Sequence, residues 1–269
     1  MKQANTGIKV ALVTGGSSGI GRYTAIALKE SGCIVYEFSR HEKPADGIRH
    51  LTVDVTDEAQ VCESVKHIIS EEGHIDILVN NAGFGISGAV ETTQSADAHA
   101  QMEVNLFGTD NVTRAVLPYM RENGGGRIVC VSSIAGILPI PFQTWYSVSK
   151  AAIAAYCLAL QNEVRPFHIS VCAVLPGDIA TGFTDARVKS EAGDDVYSGR
   201  ISRSVAVMEH DEQNGMSSEF AGRFVAKLSL KKNSKPLVAM GIAYKGAALL
   251  AKFLPRRMSN FIVGMIYSR

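Results

Sequence analysis

Short apolar, β-branched runs alternate with longer stretches of helical periodicity from the start of the chain through residue 175. The apolar runs predict strands at 8–14, 33–39, 48–54, 75–80, 127–132 and 167–175, with a seventh at 236–240. The stretches between them predict helices at 18–31, 57–72, 96–122 and 147–165. The strands VALVT, IDILVN, RIVCVSS and ISVCAVL are almost unbroken in their apolar character. That pattern suits a parallel sheet covered by helices on both faces, since neither side of such a strand meets water. Strict strand–helix alternation, with no repeat and no Pro/Ser linker, implies one doubly wound α/β domain.

The pattern changes after Leu175. Between Pro176 and Pro236 the chain is rich in charge (KSEAGDD, MEHDEQNG) and carries Gly182, Gly193, Gly199 and Gly215. Only weakly amphipathic pieces at 201–208 and 220–230 interrupt it. A loop of that length in a compact domain is usually functional, often a lid, although a tolerated surface insertion fits as well. The expected layout is therefore a core at about 8–180, a substrate loop or lid at about 182–235, and a C-terminal strand with helices at 236–269.

Composition narrows the function classes. The 269 residues are 46% hydrophobic and 20% charged, which excludes disorder and low-complexity arrays. Lys and Arg number 27 against 26 Asp and Glu, so no global basic field exists to hold nucleic acid. Cys33, Cys62, Cys130, Cys157 and Cys172 are scattered, and the seven histidines show no metal-like spacing and read as surface or edge residues. Neither a disulfide framework nor a structural metal is expected. No leader pattern and no 18-residue apolar run is visible, which makes the cytoplasm the default expectation.

Two places carry chemistry. The first strand ends in Thr14-Gly15-Gly16-Ser17-Ser18-Gly19-Ile20-Gly21, and a helical pattern follows. Glycines let a backbone approach a pyrophosphate, and a helix N-terminus offers free N–H groups with a favourable dipole. At the first strand of an alternating chain, this turn predicts a nucleotide site, and the missing Lys-Ser/Thr argues against a P-loop. The second place is Ser132-Ser133 followed by Tyr146-Ser147-Val148-Ser149-Lys150. Tyr146 and Lys150 are four apart and share a helix face. A cation beside a tyrosine favours phenolate and so lowers its pKa, which makes Tyr146 an acid/base candidate. Such a pair is also common on ordinary helix surfaces.

Six motifs occur in order: TGGSSGIG, NNAG, VNLFG, SSIAG, YSVSK and LPG. Over about residues 8–182 the chain resembles the short-chain dehydrogenase/reductase family, whose fold is a Rossmann-like seven-stranded parallel sheet flanked by helices. The resemblance implies hydride transfer between a nicotinamide cofactor and a carbonyl or secondary alcohol. It implies that the turn containing Gly15, Ser17, Ser18, Gly19, Ile20 and Gly21 holds the cofactor pyrophosphate. Asp54 with Val55 would contact adenine, and Asn81, Ala82 and Gly83 would line the adenine ribose and support the sheet. Asn105 would hold a water of a proton relay through a local helix irregularity. Ser133 would hydrogen-bond the substrate oxygen, Tyr146 transfer its proton, and Lys150 tune Tyr146 and hold the nicotinamide ribose. Pro176, Gly177, Ile179 and Thr181 would fix the carboxamide. No catalytic position departs from the family pattern. The apolar stripe at 151–160 corresponds to a helix that the family buries against a partner subunit, implying a homodimer or homotetramer. A helix buried within one chain reads the same way.

Several readings compete at single positions. The second strand ends Glu37-Phe38-Ser39-Arg40-His41. A neutral Ser39 followed by Arg40 favours NADP(H) over NAD(H), because a guanidinium grips a 2′-phosphate where an acid would repel it. Glu37, on the same face as Ser39 but deeper, is the competing ribose acid. Asp54 can alternatively start the following helix, although Thr56 or Asp57 fits that better. Asn80 reads as a structural residue. The apolar segment at 134–142 suggests an apolar substrate, such as a hydroxysteroid, a retinoid-like molecule or another lipid-derived alcohol or ketone. The stretch at 247–269 is expected to cap the pocket or pack in an oligomer, ahead of lying on a membrane surface. A nucleotide-binding scaffold without turnover is disfavoured by the intact Asn105–Ser133–Tyr146–Lys150 set. An epimerase-type relative is disfavoured by the spacing of the first glycines.

Overall fold

The computed structural model of the chain describes residues 7–268. Its sheet contains β1 (Val10–Thr14), β2 (Ile34–Ser39), β3 (Arg49–Thr52), β4 (Ile77–Asn80), β5 (Gly126–Val131), β6 (Ile169–Leu175) and β7 (Leu237–Ala239). All seven are parallel, in the order β3-β2-β1-β4-β5-β6-β7. Each lies within a residue or two of its predicted bounds. Alternate residues of one strand feed opposite cores: Val10 and Leu12 join one cluster, Ala11 and Val13 the other. This is why the sequence shows an unbroken apolar run instead of alternation.

The helices close both faces. α1 (Gly19–Glu30) buries Ala25 and Leu28 on one side. α2 (Glu58–Glu72) buries Val61, Val65 and Ile68 on the other, starting where the Asp57 side chain accepts from the Gln60 amide. The helix predicted at 96–122 is broken. It comprises α3 (Ser95–Met102), a π-helical turn (Glu103–Phe107) and α4 (Gly108–Glu122), whose Val112, Val116 and Met120 pack at i, i+4 spacing. α5 (Thr144–Val164) buries Ile153, Ala154, Cys157 and Leu160, while Val148 and Leu158 stay exposed.

The segment read as a long loop is built largely of helices: α6 (Phe183–Ala186), α7 (Arg200–Gln213) and α8 (Ser218–Ser229). The weak amphipathic pieces at 201–208 and 220–230 correspond to α7 and α8. α8 belongs to the sheet's covering layer, since Ala221, Val225 and Ala226 join the same core as α1. Gly222 lies against the Tyr23 and Thr24 backbone, where a Cβ would not fit. The interposed charges had masked this face. Two further helices, α9 (Ile242–Phe253) and α10 (Arg256–Tyr267), end the chain. Among the described residues no helix is long and apolar enough to cross a membrane.

Candidate active site

Strand order reverses between β1 and β4, and open α/β sheets bind ligands in the crevice outside such a point. The glycine-rich turn sits there. Gly15 and Gly19 hold φ of +66° and +51°, the left-handed region that other residues adopt at a cost. A Cβ at Gly16 would stand 2.5 Å from the Cβ of Glu37, and one at Gly21 would run into the Gly15 carbonyl and the Asn81 amide. Ser18, the residue before α1, makes no capping bond, and the first turn of α1 holds no acid. The helix start therefore presents unsatisfied N–H groups, Ser17 and Ser18 hydroxyls and a positive dipole end, which is the donor set a pyrophosphate needs. This glycine cradle fits a dinucleotide cofactor.

Asn81 ties β4 to that turn. Its side chain donates to the Thr14 carbonyl at 3.0 Å and to the Gly15 carbonyl at 3.2 Å. The Asn81 and Ala82 amides both donate to the Thr14 hydroxyl at 3.0 Å. Asn80 is buried and donates to Thr113, in keeping with a structural role. Asp54 does not start α2, as Asp57 does; it accepts from the Thr56 amide and hydroxyl at 3.0 and 2.8 Å. Burial pushes its carboxyl up, but the Thr56 bonds and the Arg40 charge outweigh this and hold it below the usual range. Val55 is buried beneath, against Gly108.

At the end of β2, Ser39 and the exposed Arg40 flank the crevice. Glu37 is fully buried, pressed against Gly16 and paired with His50. The Ser39 hydroxyl lies 3.2 Å from Glu37 Oε1 and 3.0 Å from the His41 carbonyl. His50 fits the expectation of an edge residue, since it stands on the edge strand β3, but its side chain is only 8% exposed. A carboxylate inside the adjacent strand draws it inward.

The second cluster forms between β5, α5 and the π-turn. Ser132 and Ser133, next to each other in sequence, have different surroundings. The Ser132 hydroxyl donates to the Lys150 carbonyl at 2.6 Å, while the Ser133 hydroxyl, at the start of a short 3₁₀ turn, accepts from the Ala135 amide at 3.1 Å. Lys150 is buried and donates to the Val131 carbonyl at 2.9 Å, with its ammonium 5.7 Å from the Tyr146 ring centre. Asn105 lies in the π-turn, fully buried. It donates to Phe84 and Ser149 and accepts from the Phe84 amide, each at 3.0 Å. A Cβ at Gly83 would stand 2.9 Å from the Asn105 oxygen and 3.6 Å from the Lys150 nitrogen, so all three converge.

Tyr146 and Lys150 titrate in opposite senses. Burial pushes Tyr146 up to about 12; a hydrogen bond with Ser133 and the Arg187 charge act against this, and the Glu212 and Asp178 charges add to it. Burial pulls Lys150 down to about 8. In the protein alone, desolvation thus overrides the lowering of Tyr146 expected from its neighbouring cation.

Several neighbours were not apparent from the sequence. The Phe183 ring centre lies 5.6 Å from that of Tyr146 and packs against Gly85. Arg187 is buried and ion-paired with Glu212, whose other oxygen accepts from Thr184 at 2.6 Å. After β6, Pro176 and Ile179 are buried, and Thr181 reaches Gly19. Tyr244 of α9 lies flat against Gly177 and donates to Asp178 at 2.5 Å. Of these, Pro176, Gly177, Ile179 and Thr181 were named by the family resemblance. Phe183, Arg187, Glu212 and Tyr244 come from segments with no recognisable spacing.

The comparisons agree with this geometry. Residues 9–192 match the family described as short chain dehydrogenase. A 3-ketodihydrosphingosine reductase of Bacteroides thetaiotaomicron is 42% identical over 268 residues, covering 97% of this chain and 98% of the relative. A 3-oxoacyl-[acyl-carrier-protein] reductase of Thermotoga maritima is 37% identical over 188 residues, 66% of this chain and 76% of that protein. Among solved structures, a short-chain dehydrogenase of Streptomyces avermitilis superposes with a TM-score of 0.80 at 29% identity, covering 91% and 93% of the two chains. ElxO with NADP bound gives 0.73 at 25% identity, covering 89% and 99%. A sheet order, a glycine cradle and a Ser133–Tyr146–Lys150 cluster at its rim thus coincide with a family match across most of the sequence, and the chain belongs to the short-chain dehydrogenase family of oxidoreductases.

Proposed function

We propose that the protein is an NADP(H)-dependent reductase of a long-chain, lipid-derived ketone, of the 3-ketodihydrosphingosine type. The observation that carries this reading is similarity to a reductase of that name at 42% identity along the full length of both chains. The similarity therefore includes the variable segment and the C-terminal helices, beyond the family core. The segment after Ser133 supports an apolar substrate. Ile134, Ile137, Leu138 and Ile140 are only partly buried, so they offer apolar surface next to the catalytic serine instead of filling the core. The hydroxysteroid alternative has no comparable support.

A nicotinamide cofactor would supply hydride when bound. The cradle at Gly15–Gly21 would hold its pyrophosphate, Ser39 and Arg40 would take the 2′-phosphate, and Lys150 and the Pro176–Thr181 segment would position the nicotinamide half. Ser133 donates a hydrogen bond to the substrate carbonyl oxygen, where negative charge grows. Tyr146, protonated well above neutral pH, gives its proton to that oxygen. Lys150 keeps a positive charge beside the phenol and favours the tyrosinate left behind. Asn105, fixed on three sides, marks the inner end of the proton path. In the oxidative direction the same groups act in reverse.

Purified protein mixed with NADPH and a ketone panel tests the proposal. The expected result is the highest kcat/KM with 3-ketodihydrosphingosine, well above steroid ketones and small sugars. A preference for polar sugars overturns the substrate assignment, and a preference for steroids replaces it with the alternative.

A further inference from the structure

The C-terminal helices form a surface that the fold leaves uncovered. Half of the large apolar side chains that stand exposed among the described residues lie between Ile242 and Ile266. α9 has twelve residues and buries none of them. α9 rests on the fold through Tyr244, which packs on Gly177, with Ala247, Ala248 and Ala251 only partly covered, and its opposite apolar side is left without a partner. Ile242, Leu249 and Phe253 stand at i, i+7 and i+11, a single stripe, and are 90%, 58% and 79% exposed. Lys245 and Lys252 flank that stripe at i+3 and i+10. On α10, Met258, Phe261 and Ile262 are exposed, whereas Ser259 and Val263 face inward.

The charge on this part of the chain has one sign. The fifty residues after Glu219 hold ten Lys and Arg and no Asp or Glu, whereas the preceding 219 carry 26 acids against 17 basic residues. A near-neutral protein is thus strongly polarised. Lys245, Lys252, Arg256 and Arg257 take part in no ion pair among the described residues. A second copy meeting this patch through a two-fold axis would set these cations against their own kind, with no acid between them. An anionic lipid surface answers both features: it takes up the apolar stripe and neutralises the flanking lysines, whose heads reach the headgroups while their stems lie along the stripe.

We propose that α9 and α10 dock the enzyme on an anionic membrane surface, lying in the interface without crossing it. α10 also walls a groove of about 410 Å³, in which Arg256, Arg257 and Val263 face Ile137, Leu138 and Pro139, the segment that follows Ser133. The docked surface therefore adjoins a path toward the catalytic serine. Docking rests on the exposed stripe and the charge and holds whichever ketone the enzyme reduces.

Co-sedimentation of the full chain tests this, with vesicles of phosphatidylcholine alone and of phosphatidylcholine mixed with phosphatidylglycerol. The expected result is pelleting with the mixed vesicles only, weakening as salt rises. Lys245→Gln/Lys252→Gln should lower partitioning about tenfold or more, and Leu249→Ser/Phe253→Ser should abolish it, both with an unchanged circular dichroism spectrum. Absence of pelleting, equal pelleting with both vesicles, or retention by both variants overturns the proposal. So does a concentration-dependent oligomer that Leu249→Ser/Phe253→Ser dissociates, which would make the patch a subunit interface. Turnover of a water-soluble ketone, read on the same preparations, keeps a failure of catalysis distinct from a failure of docking.

Discussion

Ser132 and Lys150 bind β5 to α5 twice over: the Ser132 hydroxyl donates to the Lys150 carbonyl at 2.6 Å, and the Lys150 ammonium returns to the carbonyl of Val131 at 2.9 Å. The strand end and the helix that carries Tyr146 are thereby fixed to each other, and the neighbouring Ser133, which takes no part in this bracing, is the residue the proposed function assigns to the substrate. Two adjacent serines should then behave differently. Ser132→Ala should destabilise the fold by about 1 kcal/mol and leave kcat within a few fold. Ser133→Ala should leave stability near wild type and lower kcat by about 10²-fold or more, as for loss of an oxyanion donor. Urea unfolding and steady-state kinetics on both variants check this, and the reverse pattern would exchange the roles of the two residues.

Tyr146→Phe removes the hydroxyl that the proposed function makes the proton donor and keeps the ring that packs on Phe183. Turnover should fall by about 10²- to 10⁴-fold, the usual worth of positioned proton transfer. NADPH affinity, read by fluorescence quenching, should change little. Undiminished turnover would assign the proton to another group.

The pH dependence follows from Lys150. Burial pulls its pKa down to about 8, while Tyr146 stays protonated up to about 12. The phenol proton is therefore available throughout the neutral range, and the charge on Lys150 is what is lost first. The reductive kcat/KM, which reports the free enzyme, should fall as pH rises through about 8. Stability moves the other way. Between about 8 and the ordinary lysine value of 10.5, the unfolded chain keeps a proton that the folded chain has released. The unfolded state binds more protons in that window, so this group's contribution to stability rises with pH there. Lys150→Met should remove both trends, as read by a kinetic pH profile and by urea unfolding across the window.

How far the sequence could be read depended on local signals. All seven strands were legible because doubly covered parallel strands leave unbroken apolar runs, and the glycine turn was legible because its backbone demands glycine. The break at 103–107 left no trace in the periodicity and was implied only by the family resemblance at Asn105, since a π-turn changes the hydrogen-bond register without changing the residue types that favour a helix. α8 was read only as a weakly amphipathic piece at 220–230, because Glu219, Arg223 and Lys227 of its exposed face break up, along the sequence, the buried Ala221, Val225 and Ala226. Phe183, Arg187, Glu212 and Tyr244 reach the site from elements joined only by tertiary packing. No spacing rule connects Tyr244 with Gly177, or Arg187 with a glutamate on another helix.

Arg187 and Glu212 give a prediction of their own. The guanidinium is fully buried and paired with a carboxylate that is 15% exposed. Removing one partner strands the other charge, so Arg187→Met should cost about 3–5 kcal/mol. Arg187→Met/Glu212→Leu should recover most of that loss, because an apolar pair of similar volume is often neutral. A double-mutant cycle by chemical denaturation measures the coupling. Equal losses in the single and double variants would show that packing, and not charge, holds α6 to α7.

The cofactor preference turns on which side chain at the end of β2 faces the ribose. Glu37 lies beneath Gly16, paired with His50 and within reach of the Ser39 hydroxyl, so its charge is engaged inside the sheet. Arg40 is exposed at the crevice, and its charge already acts on Asp54 across it. A guanidinium placed there grips a 2′-phosphate, and Ser39 has no charge to repel one. Wild type should therefore favour NADPH over NADH in kcat/KM by about 10- to 100-fold, the worth of one or two charge-assisted hydrogen bonds. Arg40→Ala should erase most of that ratio, and Ser39→Asp should invert it by offering a carboxylate to the 2′-hydroxyl. Glu37→Gln should lower stability through the loss of the His50 pair and leave the ratio close to wild type. A ratio that follows Glu37 and ignores Arg40 would move the specificity determinant three residues back, into the strand, and make the enzyme NADH-directed.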